Sequence, residues 1–216
     1  QGAQVQAKVE EPVSFAAELE ALLPADLPNR ATCIAGAARH LDLIVETNQH
    51  FNLTRIVSLR EAAIKHVLDS VLPWRLFVNA NIIVDAGSGA GFPGIPLALV
   101  FPQCRFTLVE STQKKARFIE SAAAALQLAN VQVAPVRVED WLKLHPAEIV
   151  TARAMAPLER AIPLLAPAVR KGARALLYKG RDAAQEIAAA SAQSARAKCR
   201  ASIVLEYELP DAMGTR

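Results

Sequence analysis

Val84-Asp85-Ala86-Gly87-Ser88-Gly89-Ala90-Gly91-Phe92-Pro93-Gly94 is the stretch on which the fold turns. It continues a short apolar run, Ile82-Ile83-Val84, and leads into a segment that reads as helix. Glycines at 87, 89 and 91 alternate with small residues. Such glycines let the backbone turn tightly and let a ligand approach where a Cβ would collide. A buried strand that ends in this kind of bend marks the ligand crevice of a doubly wound sheet.

Downstream of the bend, apolar runs of strand length alternate with longer helical patterns. Strands are expected over 106–109, 131–136, 148–151, 173–178 and 202–207. Helices are expected over 112–128, 139–144, 158–170 and 181–196, with Pro163 and Pro167 bending the third. This alternation implies a mostly parallel, twisted sheet flanked by helices. Few of the strands alternate apolar with polar, as expected when both faces are covered. Upstream, 12–80 reads as helical. Ile34, Ala38, Leu41, Ile44, Val45 and Phe51 recur at helical spacing, and Asn52-Leu53-Thr54 reads as a turn. A second helix over 60–72 buries Ile64, Val67, Leu68, Val71 and Leu72 and stops at Pro73, which has no N–H to donate. The expected organisation is a helical extension over 1–80 and an α/β core over 81–216, forming one compact unit.

Composition narrows the class. Hydrophobic residues make up 52% and charged residues 21% of the 216, ordinary globular usage. No apolar run reaches the roughly 18 residues of a membrane-spanning helix. The first ten residues lack the basic and apolar stretches of a signal peptide. Three scattered cysteines, Cys33, Cys104 and Cys199, do not suggest a disulfide framework and suit a reducing compartment. The histidines at 40, 50, 66 and 145 show no metal-ligand spacing, so no metal is expected. Residues 1–110 carry 8 Lys/Arg against 11 Asp/Glu, and residues 111–216 carry 16 against 10. A basic half can face nucleic acid, although solvated helix faces read the same way.

Two ligands suit the bend. Gly89-Ala90-Gly91-Phe92-Pro93-Gly94 fits the dinucleotide pattern Gly-x-Gly-x-x-Gly, with Glu110 following at a suitable distance. Asp85, just ahead of the glycines, is poor company for a pyrophosphate but suits the ammonium and sulfonium of S-adenosylmethionine. Asp-x-Gly-x-Gly-x-Gly is also the arrangement typical of methyltransferases. Glu110, at the end of the next strand, can accept hydrogen bonds from both ribose hydroxyls of either ligand.

Further motifs are Phe51-Asn52-Leu53-Thr54, His66-Val67-Leu68-Asp69-Ser70, Arg137-Val138-Glu139, Ala152-Arg153-Ala154 and Lys179-Gly180. With the glycine stretch extended through Ile95-Pro96, they make residues 30–212 resemble the RsmG (GidB) family of bacterial 16S rRNA guanine-N7 methyltransferases. The Asn-Leu-Thr and His-x-x-Asp-Ser pieces lie outside the generic methyltransferase core, which makes the resemblance specific. It implies a Rossmann-like class I fold with S-adenosylmethionine as cofactor. It also implies a cytoplasmic monomer acting on 16S ribosomal RNA or the small ribosomal subunit. By resemblance, Gly87 and Phe92 meet the cofactor through the glycine loop, Val138 and Glu139 hold the adenine end, and Arg153 lies at the cofactor site. Family members carry a Trp near position 47 or 48, where this chain has Thr47-Asn48. They also continue past the segment matching 211–216 into a final apolar strand.

No catalytic triad is visible, and methylation at guanine N7 needs none. Arg153, His66 and Asp69 are the candidates for positioning the substrate. His66, Asp69 and Ser70 would share one face of an α-helix; a hydrogen-bonded tie between helix and core is the alternative. The expected pairing for Arg153, if it forms a salt bridge, is with Asp85 or Glu139. Lys114, Lys115 and Arg117, and Arg170, Lys171, Arg174, Lys179 and Arg181 around the fifth strand, are candidate phosphate contacts. Rival readings are a methyltransferase acting on another RNA, a protein or a small molecule, a non-catalytic cofactor-binding module, and a nicotinamide oxidoreductase.

Overall fold

The computed structural model describes residues 13–56 and 58–216. Five parallel strands form one sheet: β1 (Ile82–Ala86), β2 (Arg105–Val109), β3 (Val131–Ala134), β4 (Ile149–Arg153) and β5 (Arg174–Tyr178), in the order β3-β2-β1-β4-β5. The order reverses between β1 and β4, so the crevice opens at the C-terminal ends of those strands. Helices α5 (Gly94–Val100), α6 (Gln113–Ala125), α7 (Val138–Leu144) and α8 (Leu158–Val169) connect the strands. Ile83, Val84, Leu108 and Val150 are almost wholly buried, as a sheet covered on both faces requires.

The helical layer precedes the sheet. Helix α1 (Phe15–Leu22) starts at Ser14, whose hydroxyl accepts the Ala17 N–H at 3.2 Å. Helix α2 (Arg30–Asn48) buries Cys33, Ile34, Ala37, Ala38, His40, Leu41 and Ile44. Gly36 lets it lie close on α5, because a Cβ there would stand 2.5 Å from Leu99 Cδ2. Helices α3 (Leu59–Ala62) and α4 (Asp69–Val71) are joined by a π-helical stretch, Ala63–Leu68. Phe15, Leu19, Leu41, Ile64 and Val67 share one apolar cluster with Ile83, Phe106 and Leu108 of the sheet. At about 1.5–3 kcal/mol for each such side chain fully buried, this cluster fastens the layer to the sheet.

Three expectations are corrected. The strand over 131–136 ends at Ala134, because Pro135 has no N–H for a ladder. The helix over 181–196 is two, α9 (Ala183–Ala189) and α10 (Ser191–Ala197), broken at Ala190. The strand over 202–207 does not form. Those residues have no regular secondary structure, and the tail beyond them turns back through an antiparallel bridge, Glu208 to Thr215. Ile203, Val204 and Leu205 remain 50%, 59% and 44% exposed. Strand-forming residues need a partner for their N–H and C=O groups. No ladder joins this segment to β5, and a cavity of about 580 Å³ is lined by both. Helix α8 runs unbroken through Pro163 and Pro167.

Candidate cofactor and active site

Strand register brings the site together. Ala86 pairs with Val109, and Asp85 pairs with Thr151. Continuing each register by one or two residues puts Gly87, Glu110 and Arg153 in one row across the crevice end of the sheet. Strand ends far apart in sequence are thus brought level.

The loop after β1 has the left-handed backbone its glycines allow, with φ of 72° at Gly87, 59° at Gly89 and 99° at Gly91. The N–H groups of Gly87 and Ser88 donate to the Val109 carbonyl at 2.8 and 3.2 Å, and Gly91 N–H donates to the Ser88 carbonyl at 2.7 Å. A Cβ built at Gly87 or Gly89 meets nothing within 4 Å, so the loop has an open face. Gly94 is different: a Cβ there would lie 2.6 Å from Asp85 Oδ2.

Glu110 lies across the mouth of this loop, 7% exposed. Its Oε2 accepts the Gly89 N–H at 2.9 Å and its Oε1 accepts the Thr112 N–H at 2.7 Å. A carboxylate offers roughly four acceptor positions, so both oxygens keep capacity for a diol. Asp85 faces away from the open side. It is fully buried, its Oδ2 accepts the Gly94 N–H at 2.9 Å, and its Oδ1 has no partner. Burial pushes its carboxyl up to about 7. The sequence reading aimed this acid at a cationic ligand; the structure sets it beneath the loop, as a brace for the start of α5.

Arg153 ends β4 and turns toward the helical layer. Its Nη1 donates to the Lys65 carbonyl at 2.7 Å, to the His66 carbonyl at 3.3 Å and to Ser70 Oγ at 3.3 Å. Its acidic partner is Asp69 at 3.6 Å, not Asp85 or Glu139, because the guanidinium points at the π-helical turn. Asp69 also accepts from Arg216 Nε at 3.1 Å and from the Tyr207 hydroxyl at 3.0 Å. His66, Asp69 and Ser70 are 6%, 1% and 0% exposed. They sit in a buried network and present no free face. The single α-helical face expected for them is replaced by the π-helical stretch, in which His66 falls.

The Phe92 ring lies inside this network. Its centroid is 4.6 Å from the His66 ring at an interplanar angle of 6°, and Arg153 Cζ is 5.3 Å away. Only 4% of Phe92 is exposed, so it offers the crevice main-chain atoms at most. Burial and the nearby Arg153 charge pull His66 down to about 4, which keeps its imidazole neutral. Val138 and Glu139 open helix α7 after β3, at the helix start where the first N–H groups lack a carbonyl one turn back. Val138 is buried and Glu139 half-buried. The structure therefore gathers Gly87, Glu110 and the loop at the crevice, with Val138 and Glu139 one connection further along. Arg153, His66 and Asp69 form a second group behind the loop.

Sequence reasoning missed two contributors. Asn48 organises the Asn-Leu-Thr turn: its Oδ1 accepts the Leu53 N–H at 2.8 Å and its Nδ2 donates to the Thr54 carbonyl at 2.7 Å. The polar residue ending an amphipathic helix was the available signal. His40 touches the glycine loop itself, and its only signal was a histidine among the buried positions of α2.

The family described as rRNA small subunit methyltransferase G matches residues 34–211 of this chain. The chain belongs to that family. Among its relatives is a protein of Solibacter usitatus named ribosomal RNA small subunit methyltransferase G, 69% identical over 94% of this chain and 97% of its own. Proteins of the same name from Caldanaerobacter subterraneus and Sorangium cellulosum are 37% and 42% identical. The first alignment covers 78% of this chain and 72% of the relative, the second 74% and 70%. A solved structure of a SAM-dependent methyltransferase from Aquifex aeolicus superposes with a TM-score of 0.50 at 12% identity, over 71% of this chain and 89% of that one. That likeness concerns the fold. Membership of the family sets aside the nicotinamide reading of the glycine loop.

Proposed function

We propose that this protein transfers the methyl group of S-adenosylmethionine to N7 of a guanine in the decoding region of 16S ribosomal RNA. It is an rRNA methyltransferase of the small-subunit family, and its methyl donor is S-adenosylmethionine. The observation that carries the reading is family membership across 34–211 combined with an open glycine loop level with Glu110.

The residues present fit that cofactor. The open face at Gly87 and Gly89 leaves room for its amino-acid end. Glu110 would accept the ribose hydroxyls, and the first turn of α7 at Val138 and Glu139 would border the adenine. Phe92 contributes through its main chain only. Bound there, S-adenosylmethionine supplies an electrophilic methyl group. Guanine N7 carries a lone pair and no proton, so no residue of this chain would be needed as a base for its displacement of the sulfonium group. The protein acts by orientation, holding donor and acceptor in line. Arg153, His66 and Asp69 position the reaction indirectly, by bracing the π-helical turn against Phe92. An Arg clamped on guanine O6 and N7 would cover the reacting atom, and the inward turn of Arg153 leaves that edge free.

The protein is further read as a cytoplasmic monomer without metal, organised as a helical extension over 1–80 and a core over 81–216. The described residues of the two regions share one apolar cluster. Mapping N7-methylguanine in 16S rRNA from cells with and without the gene tests the proposal. One guanine losing its methyl group is the expected result; an unchanged map overturns it.

A further inference from the structure

We propose that His40, on helix α2, is a positioning residue that fixes the peptide between Ala90 and Gly91 and so sets the shape of the cofactor loop. This rests on the reading that the loop receives S-adenosylmethionine.

His40 is wholly buried. Its Nε2 lies 2.8 Å from the Ala90 carbonyl oxygen, and its Nδ1 has no partner. A carbonyl can only accept, so Nε2 carries the proton and Nδ1 is bare. Burial lowers the group to about 3, which keeps the ring neutral. The ring also packs on Phe92, centroid to centroid 4.7 Å, and lies 6.1 Å from Phe118. A phenyl or leucyl side chain would fill this space without burying a bare nitrogen. What imidazole adds is one directed hydrogen bond.

That bond falls where the loop is least constrained by its own chemistry. Ala90 stands between two glycines of positive φ, 59° at Gly89 and 99° at Gly91. Glycine accepts either sign of φ, so the intervening peptide plane could rotate at small steric cost. Its two ends are pinned instead: Gly91 N–H donates to Ser88 O at 2.7 Å, and Ala90 C=O accepts from His40. Rotation of the plane would break both. The neighbouring Gly89 N–H is then held at Glu110, the ribose acceptor. Helix α2 is thereby connected to the cofactor subsite through one side chain. A Cβ at Gly91 would meet His40 Cε1 at 3.2 Å, so the fit is close from both sides.

Three forms of the protein are to be compared: unmutated, His40→Phe and His40→Gln, whose amide can donate from about the place of Nε2. Calorimetry with S-adenosylmethionine is expected to show roughly tenfold weaker binding for His40→Phe, about one lost hydrogen bond, with His40→Gln restoring most of it. KM for the donor should rise while kcat at saturating donor stays within about twofold, since uniform binding alone is lost. Without any ligand, the Gly89 and Gly91 amide resonances should be single in the unmutated and Gln proteins and doubled or broadened in His40→Phe. Equal donor affinity in all three, or unaltered glycine resonances in His40→Phe, overturns the proposal. So does an unmutated protein whose His40 ring proton is found on Nδ1. Single glycine resonances and an Nε2 proton in a protein that binds no S-adenosylmethionine would leave His40 as assigned and refute the cofactor reading instead.

Discussion

Glu110 joins the glycine loop to the end of β2. One carboxylate terminates the loop amide of Gly89, caps the Thr112 N–H and retains capacity for a diol. Glu110→Ala is expected to weaken S-adenosylmethionine binding by about tenfold to a hundredfold in calorimetry, since hydrogen bonds to a charged group contribute about 1.5–3 kcal/mol. Unchanged affinity would remove Glu110 from the site. Its place at the crevice end of the sheet was legible in the sequence because that depends on strand length and one connection, both local patterns. Asp85 was legible as important, but not in its direction. Alternation along β1 says which face a side chain takes, yet the Gly94 amide that captures its carboxylate arrives only when α5 folds back. Arg153 shows the same limit. Its position after β4 was readable, but its partners Lys65, His66 and Asp69 lie more than eighty residues away.

At the scale of elements, the β-α alternation was readable because buried parallel strands are short apolar runs and most of the segments between them carry longer helical patterns, although α5 is buried on every side. Of the elements that were not, two bear on the site and the sheet edge. The His66–Ser70 spacing was interpreted on an α-helical period, whereas Ala63–Leu68 is a π-helix whose wider turn offers the Lys65 and His66 carbonyls to Arg153. π-Helical turns tend to sit at functional positions, and here one meets the ring of the loop residue Phe92. The segment 202–207 has strand composition but no ladder, because β5 lies beyond hydrogen-bonding reach. The amides of 202–206 are expected to exchange with solvent orders of magnitude faster than those of β1 and β4, which pair on both sides. Protection of 202–206 comparable to β1 in hydrogen exchange would contradict this description.

For the whole molecule, the sheet sorts the basic residues into two groups. Lys114 and Arg117 follow β2, and Arg181 follows β5, at the crevice end; all three are exposed. Arg170, Lys171 and Arg174 precede or begin β5, at the opposite end. The sequence had grouped Arg181 with these three, because residues close in sequence stand at opposite ends of a strand. If RNA approaches the crevice, Lys114→Glu and Arg181→Glu should each weaken binding to small-subunit rRNA several-fold, and Arg174→Glu should leave it within about twofold. Affinity should also fall by orders of magnitude between about 50 and 200 mM salt, as phosphate contacts require. Filter binding over that range checks both statements; a flat salt profile would argue against a phosphate-guided surface.

The most direct test of the account is a crystal structure with S-adenosylhomocysteine, the product left after methyl transfer. The expected result is a ligand with its amino-acid end on the open face of Gly87 and Gly89, its ribose hydroxyls on the Glu110 carboxylate and its adenine beside Val138. A ligand bound elsewhere, or a loop that stays empty at saturating ligand while Glu110 keeps only its two amide partners, would contradict it.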